Sequence, residues 1–417
     1  MNDTTIDPLL ASWVPVPIDS DFPIQNLPFG VFRTDRTRVG VAIGNHILDL
    51  AAVQAAEWFD NLNLPEDVFA QATLNQFIEL GQHQWRAVRG AVSALLTAGD
   101  ERIAKDRDRY LVARDAAKMI LPIDIGDYVD FYSSIEHATN VGQMFRPDAP
   151  PLLPNWRHLP VGYHGRTSSI VVSGTPVVRP HGQRPGPNGP TFGPSQRLDI
   201  ELEVGFVTGT ANQLGTPLPI GQAEEHIFGV CLINDWSARD IQAWEYQPLG
   251  PYLGKSFATT MSPWVITLDA LAPFRVVPPP QDPAPLPYLS GDGATALDLD
   301  LEIELNGEVI SRTSFRNMYW TMAQQLAHAA SNGTNIRAGD LYGSGTVSGS
   351  TPDSLGSLLE LSWNATRPIE LSDGSTRTFL EDGDTVALNG RCQAEGFTRI
   401  GFGDCTGTVL PAVGGEN

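Results

Sequence analysis

A chain of 417 residues can bury a large core and has room for two or more domains, and its 40 glycines and 33 prolines, scattered throughout, favour a β-rich, loop-rich fold over a helical bundle. A formal net charge of -21 argues against nucleic acid and anionic membrane surfaces as partners, so an anionic ligand would need local Arg and Lys, or a bound cation, to be drawn in. Three cysteines (Cys231, Cys392, Cys405) without CxxC spacing argue against a disulfide framework or a Cys-rich zinc site, and with no Lys or Arg before Arg33 and no long apolar run the expected location is cytoplasmic, without signal peptide or membrane helix.

In chain order, residues 1 to 28 read as extended and proline-interrupted. Strand-like runs follow over 29–33, 38–43 and 46–50, with Gly44-Asn45 as a hairpin turn. Helical patterns come over 51–59, 74–80 and 84–97. This opening reads as a small β-rich module with attached helices and no cluster of catalytic residue types. His46 and His83 stand alone, the ordinary pattern of surface or core histidines. The charged stretch 100–118 ends the module, so the expected division is 1–120 and 121–417.

The second segment brings Asp130 and Tyr132 two residues apart, on one face if this is a strand. Ser133 and Glu136 form a capping-box pattern that puts His137 in the first turn of a helix. A carboxylate, a tyrosine and a histidine at such a corner read either as a site or as a solvated loop with a bystander histidine. Pro-rich loops over 147–154 and 180–194 flank a strand at 169–173. Residues 198–207 alternate, with Asp199, Glu201 and Glu203 opposite Ile200, Leu202, Val204 and Phe206. Residues 297–305 repeat this grammar, where period-2 carboxylates read as the wet face of an antiparallel strand before the Asn306-Gly307 turn.

A short apolar run, 228–233, then leads into Asn234-Asp235-Trp236-Ser237-Ala238-Arg239-Asp240. Ser237 and Asp240 predict a helix start, and Arg239, Gln242 and Tyr246 then share one face beside Asp235. That face suits an anionic, oxygen-rich small molecule, or is an ordinary amphipathic surface. Gly254-Lys255-Ser256 is not a P-loop, because Leu249 stands where the first glycine is needed. Residues 276–295 read as a surface insertion, 317–331 as a helix, and 343–350 as a flexible polar loop. A strand containing Glu360 is expected over 356–363, and strands with Gly-rich turns over 378–409.

Long blocks carry a resemblance: Asp130-Phe131-Tyr132-Ser133-Ser134, His137-Ala138-Thr139-Asn140-Val141-Gly142, Pro160-Val161-Gly162-Tyr163-His164-Gly165-Arg166, residues 234–246, and Gly254-Lys255-Ser256-Phe257. These resemble the fumarylacetoacetate hydrolase family. The resemblance implies a mainly β, α+β fold with a small N-terminal SH3-like barrel and a larger C-terminal mixed β-sheet roll, assembled as a homodimer. It implies cleavage of a diketo acid, 4-fumarylacetoacetate, to fumarate and acetoacetate in tyrosine breakdown. It also implies Ca²⁺ or Mg²⁺ on Asp130, Glu201, Glu203 and Asp235, with a second cation site at Asp235, Lys255 and Thr259. Substrate contacts fall on Tyr132, Arg146, Tyr163, Gln242, Tyr246 and Thr346. His137 becomes the base, oriented by Glu360, with Arg239, Gln242 and Lys255 stabilising the oxyanion and Lys255 protonating the leaving group. A related decarboxylase, isomerase or acylpyruvate hydrolase is the alternative activity, and a non-catalytic ligand-binding protein the alternative class.

Overall fold

The computed structural model describes residues 3–291 and 295–414. Its central element is the strand Ile227–Asp235, whose nine residues are all buried. A strand covered on both faces reads as a continuous apolar run, which is why this one shows no alternation. It pairs antiparallel with Leu202–Thr208 on one side and with Thr259–Met261 and Trp264–Thr267 on the other. Alternate side chains then serve two cores: Val230 and Leu232 join one apolar cluster, Cys231 and Ile233 the other. Among the described residues, no helix is long and apolar enough to cross a membrane.

The N-terminal strands Phe29–Arg33, Thr37–Ile43 and His46–Asp49 form the expected meander, with Gly44 at φ +52° in its turn. They continue into the central sheet through Phe29 opposite Val265 and Gly30 opposite Trp264, giving thirteen strands in all. A Cβ on Gly30 would lie 2.6 Å from the Trp264 ring, so the junction requires glycine. The strand path stays open, and no barrel closes among the described residues. The observed class is mixed α+β, with a second, six-stranded sheet around Asp300–Leu305 and Thr385–Cys392. There the alternation reads as expected: Leu301, Ile303 and Leu305 are buried, while Glu302 reaches Arg312 and Arg391 on the outer face.

Several expectations are corrected. The helix placed at 317–331 is Met322–Ala329, because Thr321 and Gln324 close a reciprocal capping box and leave Met318 outside it. Residues 356–363 hold the short helix Leu358–Leu361, not a strand. The polar loop 343–350 is buried from Gly343 to Gly349. The insertion at 276–295 remains an excursion with one turn, Pro287–Leu289; its residues 292–294 lie outside the described residues.

Candidate active site

Asp235 ends the central strand; Glu203 comes from the paired strand Leu202–Thr208, Glu201 from just before it, and Asp130 from Tyr128–Phe131, two strands further on, beyond Leu341–Gly343. Asp130, Glu201, Glu203 and Asp235 are all buried and place one oxygen each within 4.8 Å of one another. Glu201 sits at a break in the predicted alternating strand: Leu198–Asp199 pairs with Ser237–Ala238, and Leu202–Thr208 pairs with the central strand. Unlike 297–305, the strand Leu202–Thr208 has no wet face, since all of its residues are buried. The buried loop after Leu341–Gly343 closes the cluster from one side. Gly345, at φ +76°, donates its N–H to Glu203 Oε2 at 3.2 Å, and a Cβ there would lie 2.3 Å from the Phe131 carbonyl oxygen.

Few positive charges face this cluster. Lys255 Nζ donates to Glu201 Oε2 and Asp235 Oδ2, both at 2.7 Å, and Arg239 Nη1 donates to Glu201 Oε1 at 2.6 Å. Thr259 Oγ1 donates to Asp235 Oδ1 at 3.0 Å. Burial, with Lys255 and Arg239 more than offsetting it, leaves the Glu201 carboxyl well below the usual range. Burial, reinforced by neighbouring carboxylates, pushes Asp130 and Glu203 well above theirs, and burial raises Asp235 as well. Asp130 Oδ1 and Glu203 Oε1 are buried without any hydrogen-bond partner. Oxygen-only donors, two of them orphaned, with surplus negative charge and no thiol among them, fit a hard divalent cation.

The helix Ile135–Phe145 brings His137 to the same place. Its cap is Ser134, one residue later than predicted, and Ser134 Oγ accepts from the His137 N–H at 3.2 Å. His137 Nδ1 lies 2.6 Å from Glu360 Oε2 although 223 positions separate the two residues. Glu360 also accepts from Asn140, Ser348 and Ser357 at 2.8–2.9 Å. Burial would raise its carboxyl, but His137 and these donors hold it below the usual range. The edge of the Tyr132 ring meets the imidazole at 5.3 Å between centroids.

A cavity of about 390 Å³ joins these parts. Asp130, Tyr132, His137, Arg146, Tyr163, Glu201, Arg239, Gln242, Tyr246, Lys255 and Thr346 line it. Asp235, Lys255 and Thr259 border a smaller cavity of about 190 Å³, which shares Tyr163 and Lys255 with the main one. Glu203 and Glu360 stand behind the walls of the main cavity, touching Gly345 and His137. Arg146 Nε, Arg239 Nη2 and Thr346 Oγ1 are buried without partners, so a ligand rich in oxygen would find donors waiting. The helix Arg239–Glu245 does present Arg239, Gln242 and Tyr246 together, but Ser237 and Asp240 do not cap it. Ser237 donates to the Asp235 carbonyl, and Asp240 accepts from Ser195 and the Gln196 N–H.

Sequence reasoning missed Asn140, Ser348 and Ser357 around Glu360. One signal was present: Ser357 stands three residues before Glu360, the spacing of a helix cap, and Ser357 Oγ does accept from the Glu360 N–H.

Similarity to known proteins extends over almost the whole chain. The family described as "Fumarylacetoacetate (FAA) hydrolase C-terminal" matches residues 128–410, and "Fumarylacetoacetase N-terminal" matches 25–122. The chain is 54% identical to the fumarylacetoacetase of Rattus norvegicus, over 96% of this chain and 99% of that protein. It is 49% identical to that of Arabidopsis thaliana, over 97% of this chain and 99% of the relative. A solved structure, a fumarylacetoacetate hydrolase from Exiguobacterium antarcticum, superposes with a TM-score of 0.53 over 92% of this chain and 99% of that one. At 18% identity that likeness concerns the fold alone.

Proposed function

The chain belongs to the fumarylacetoacetate hydrolase family, and from that premise we propose that it hydrolyses the carbon–carbon bond of 4-fumarylacetoacetate, giving fumarate and acetoacetate, in tyrosine and phenylalanine catabolism. The observation that carries the reading is one cavity lined both by His137, which Glu360 holds from behind, and by Asp130 and Glu201 of a buried carboxylate cluster with orphaned oxygens. Asp130, Glu201, Glu203 and Asp235 would hold Ca²⁺ or Mg²⁺, and such an ion, when bound, supplies Lewis-acid stabilisation of charge on keto oxygens. For a second cation, Asp235 and Thr259 offer oxygens. The Lys255 ammonium has no lone pair and contributes charge instead.

Glu360 occupies His137 Nδ1, so Nε2 is the nitrogen left to take a proton from water. The hydroxyl attacks the carbonyl beside the fumaroyl part. Arg239, Lys255 and the Gln242 amide, whose Oε1 already accepts from Arg239, surround the developing oxyanion. Tyr132, Arg146, Tyr163, Gln242, Tyr246 and Thr346 would bind and orient the diketo acid. Although burial acts to lower its pKa, Asp235 and Glu201 hold the Lys255 ammonium above its ordinary value. When the carbon–carbon bond breaks, Lys255, an ammonium bordering the cavity, is the proposed proton donor to the leaving carbon. Protein stripped with a chelator should stop consuming the diketone absorbance of fumarylacetoacetate and recover with Ca²⁺ or Mg²⁺. Metal-loaded protein that leaves the absorbance intact would sink the reading.

The proposal extends to a cytoplasmic homodimer with parts at 1–120 and 121–417. Three free, buried thiols suit a reducing compartment. Sedimentation should return twice the 45.2 kDa chain mass.

A further inference from the structure

We propose that Asp199 is a positioning residue that holds the two chemical halves of the site, Arg239 and the His137–Glu360 pair, in register. This inference rests on the roles proposed above for those residues. The Asp199 carboxylate is fully buried and accepts four hydrogen bonds, with no capacity to spare. Its Oδ2 takes Arg239 Nε at 2.7 Å and the Leu359 N–H at 3.0 Å. Its Oδ1 takes the Leu358 and Ile200 N–H groups, each at 2.7 Å.

These contacts reach both halves. Arg239 spans from Asp199 to Glu201 in the carboxylate cluster and to Gln242 in the cavity wall. Leu358 and Leu359 open the short helix that carries Glu360, whose own N–H is held by Ser357. Glu360 in turn holds His137 Nδ1. One rigid anion therefore fixes the guanidinium and the backbone beneath the orienting carboxylate. Asp199 lies in the paired segment Leu198–Asp199, against Ser237–Ala238, so its own backbone is tied to the residues just before Arg239. Burial raises the Asp199 carboxyl and Arg239 opposes the rise. Asp199 borders none of the cavity, so it acts through its neighbours and not on substrate.

Asp199→Asn tests this. The amide has nearly the same shape, yet either orientation turns an NH₂ towards two donors. Glu360 and Arg239 should lose their fixed separation while every group in the cavity remains. In metal-loaded protein, kcat should fall about 10–100-fold, the usual scale for a supporting partner, with KM and product affinity changed less than about threefold. The double variant Asp199→Asn with Glu360→Gln should be little worse than the poorer single variant. A substrate-free arm reads the deshielded proton of the short His137–Glu360 hydrogen bond by NMR, identified by its absence in Glu360→Gln. It should move or broaden in Asp199→Asn. If Asp199→Asn does not fold, Asp199→Glu, which keeps the charge but displaces the carboxylate, should show the same kcat loss and proton shift. Losses that multiply, or an unmoved proton, would overturn the proposal. Wild-type protein inert towards fumarylacetoacetate, with the proton still shifted in Asp199→Asn, would instead overturn the function and leave the role of Asp199 standing.

Discussion

At the residue scale, identical local patterns carry opposite meanings here. Glu203 and Glu302 both sit in alternating carboxylate runs, and composition cannot separate them. Glu203 is fully buried with an orphaned oxygen beside Asp130, whereas Glu302 pairs with Arg312 and Arg391 on an outer face. Glu203→Gln should weaken cation affinity in a calorimetric titration, and Glu302→Gln should leave it unchanged. Equal effects would mean that the ion is not held by the buried cluster. A second residue-scale case concerns pH. Asp384 accepts from Arg377 Nε and Nη2, Asn306 and the Glu381 N–H at 2.8–3.0 Å. Burial would raise its carboxyl, but these donors hold it below the usual range. Its stabilisation is therefore present above the unfolded pKa of about 4 and is lost as pH falls through the lower folded value. Asp384→Asn should cost about 1–3 kcal/mol at neutral pH by urea unfolding. The gap between variant and wild type should be full above about pH 5 and shrink progressively below about pH 4. A gap that persists at the acid end would remove the charge from the explanation.

At the element scale, what was legible depended on whether one residue's surroundings were local. The N-terminal strands and the helix Gln82–Leu96 were readable because their apolar periods and turn residues lie within the element itself. The helix carrying Glu360 was not. Its four residues are too few to show a period, and Leu358 and Leu359 are buried as an apolar strand would be. What makes it helical is capping from outside: Ser357 on the Glu360 N–H, and Asp199, 159 residues away from Leu358. Likewise, the caps predicted at Ser133 and Ser237 failed because each hydroxyl has a different tertiary or backbone partner, Gln325 Nε2 and the Asp235 carbonyl. Ser357→Ala removes both the cap and a donor to the Glu360 carboxylate. It should destabilise the protein by about 1 kcal/mol, a typical cap value, and lower kcat more than KM. Lost stability with unchanged kcat would show that the cap does not support Glu360.

At the scale of the whole molecule, the resemblance made the site readable across distances that periodicity cannot bridge, such as His137 to Glu360. The merging of the N-terminal strands into one thirteen-stranded sheet remained hidden, because it depends on Gly30 meeting Trp264. That continuity couples the core to the site. Cys231 lies in the strand that ends at Asp235, and Cys405 packs against the Leu232 and Thr260 carbonyls in the same layers. Burial pushes the Cys405 thiol up to about 12 and raises Cys231 as well, so neither reacts while the sheet is closed. Labelling by a thiol reagent therefore reports opening of the core that also holds Asp235. A cation bound to the closed state stabilises it by about 2.7 kcal/mol at a concentration 100 times its Kd. Labelling of Cys231 and Cys405 should then slow about 100-fold when that concentration of Ca²⁺ or Mg²⁺ is added to stripped protein. The rates are read by quenched alkylation and peptide mass analysis. If the cation left them unchanged, the thiols would be reached by openings that keep the carboxylate cluster intact, and the core and the site would open independently.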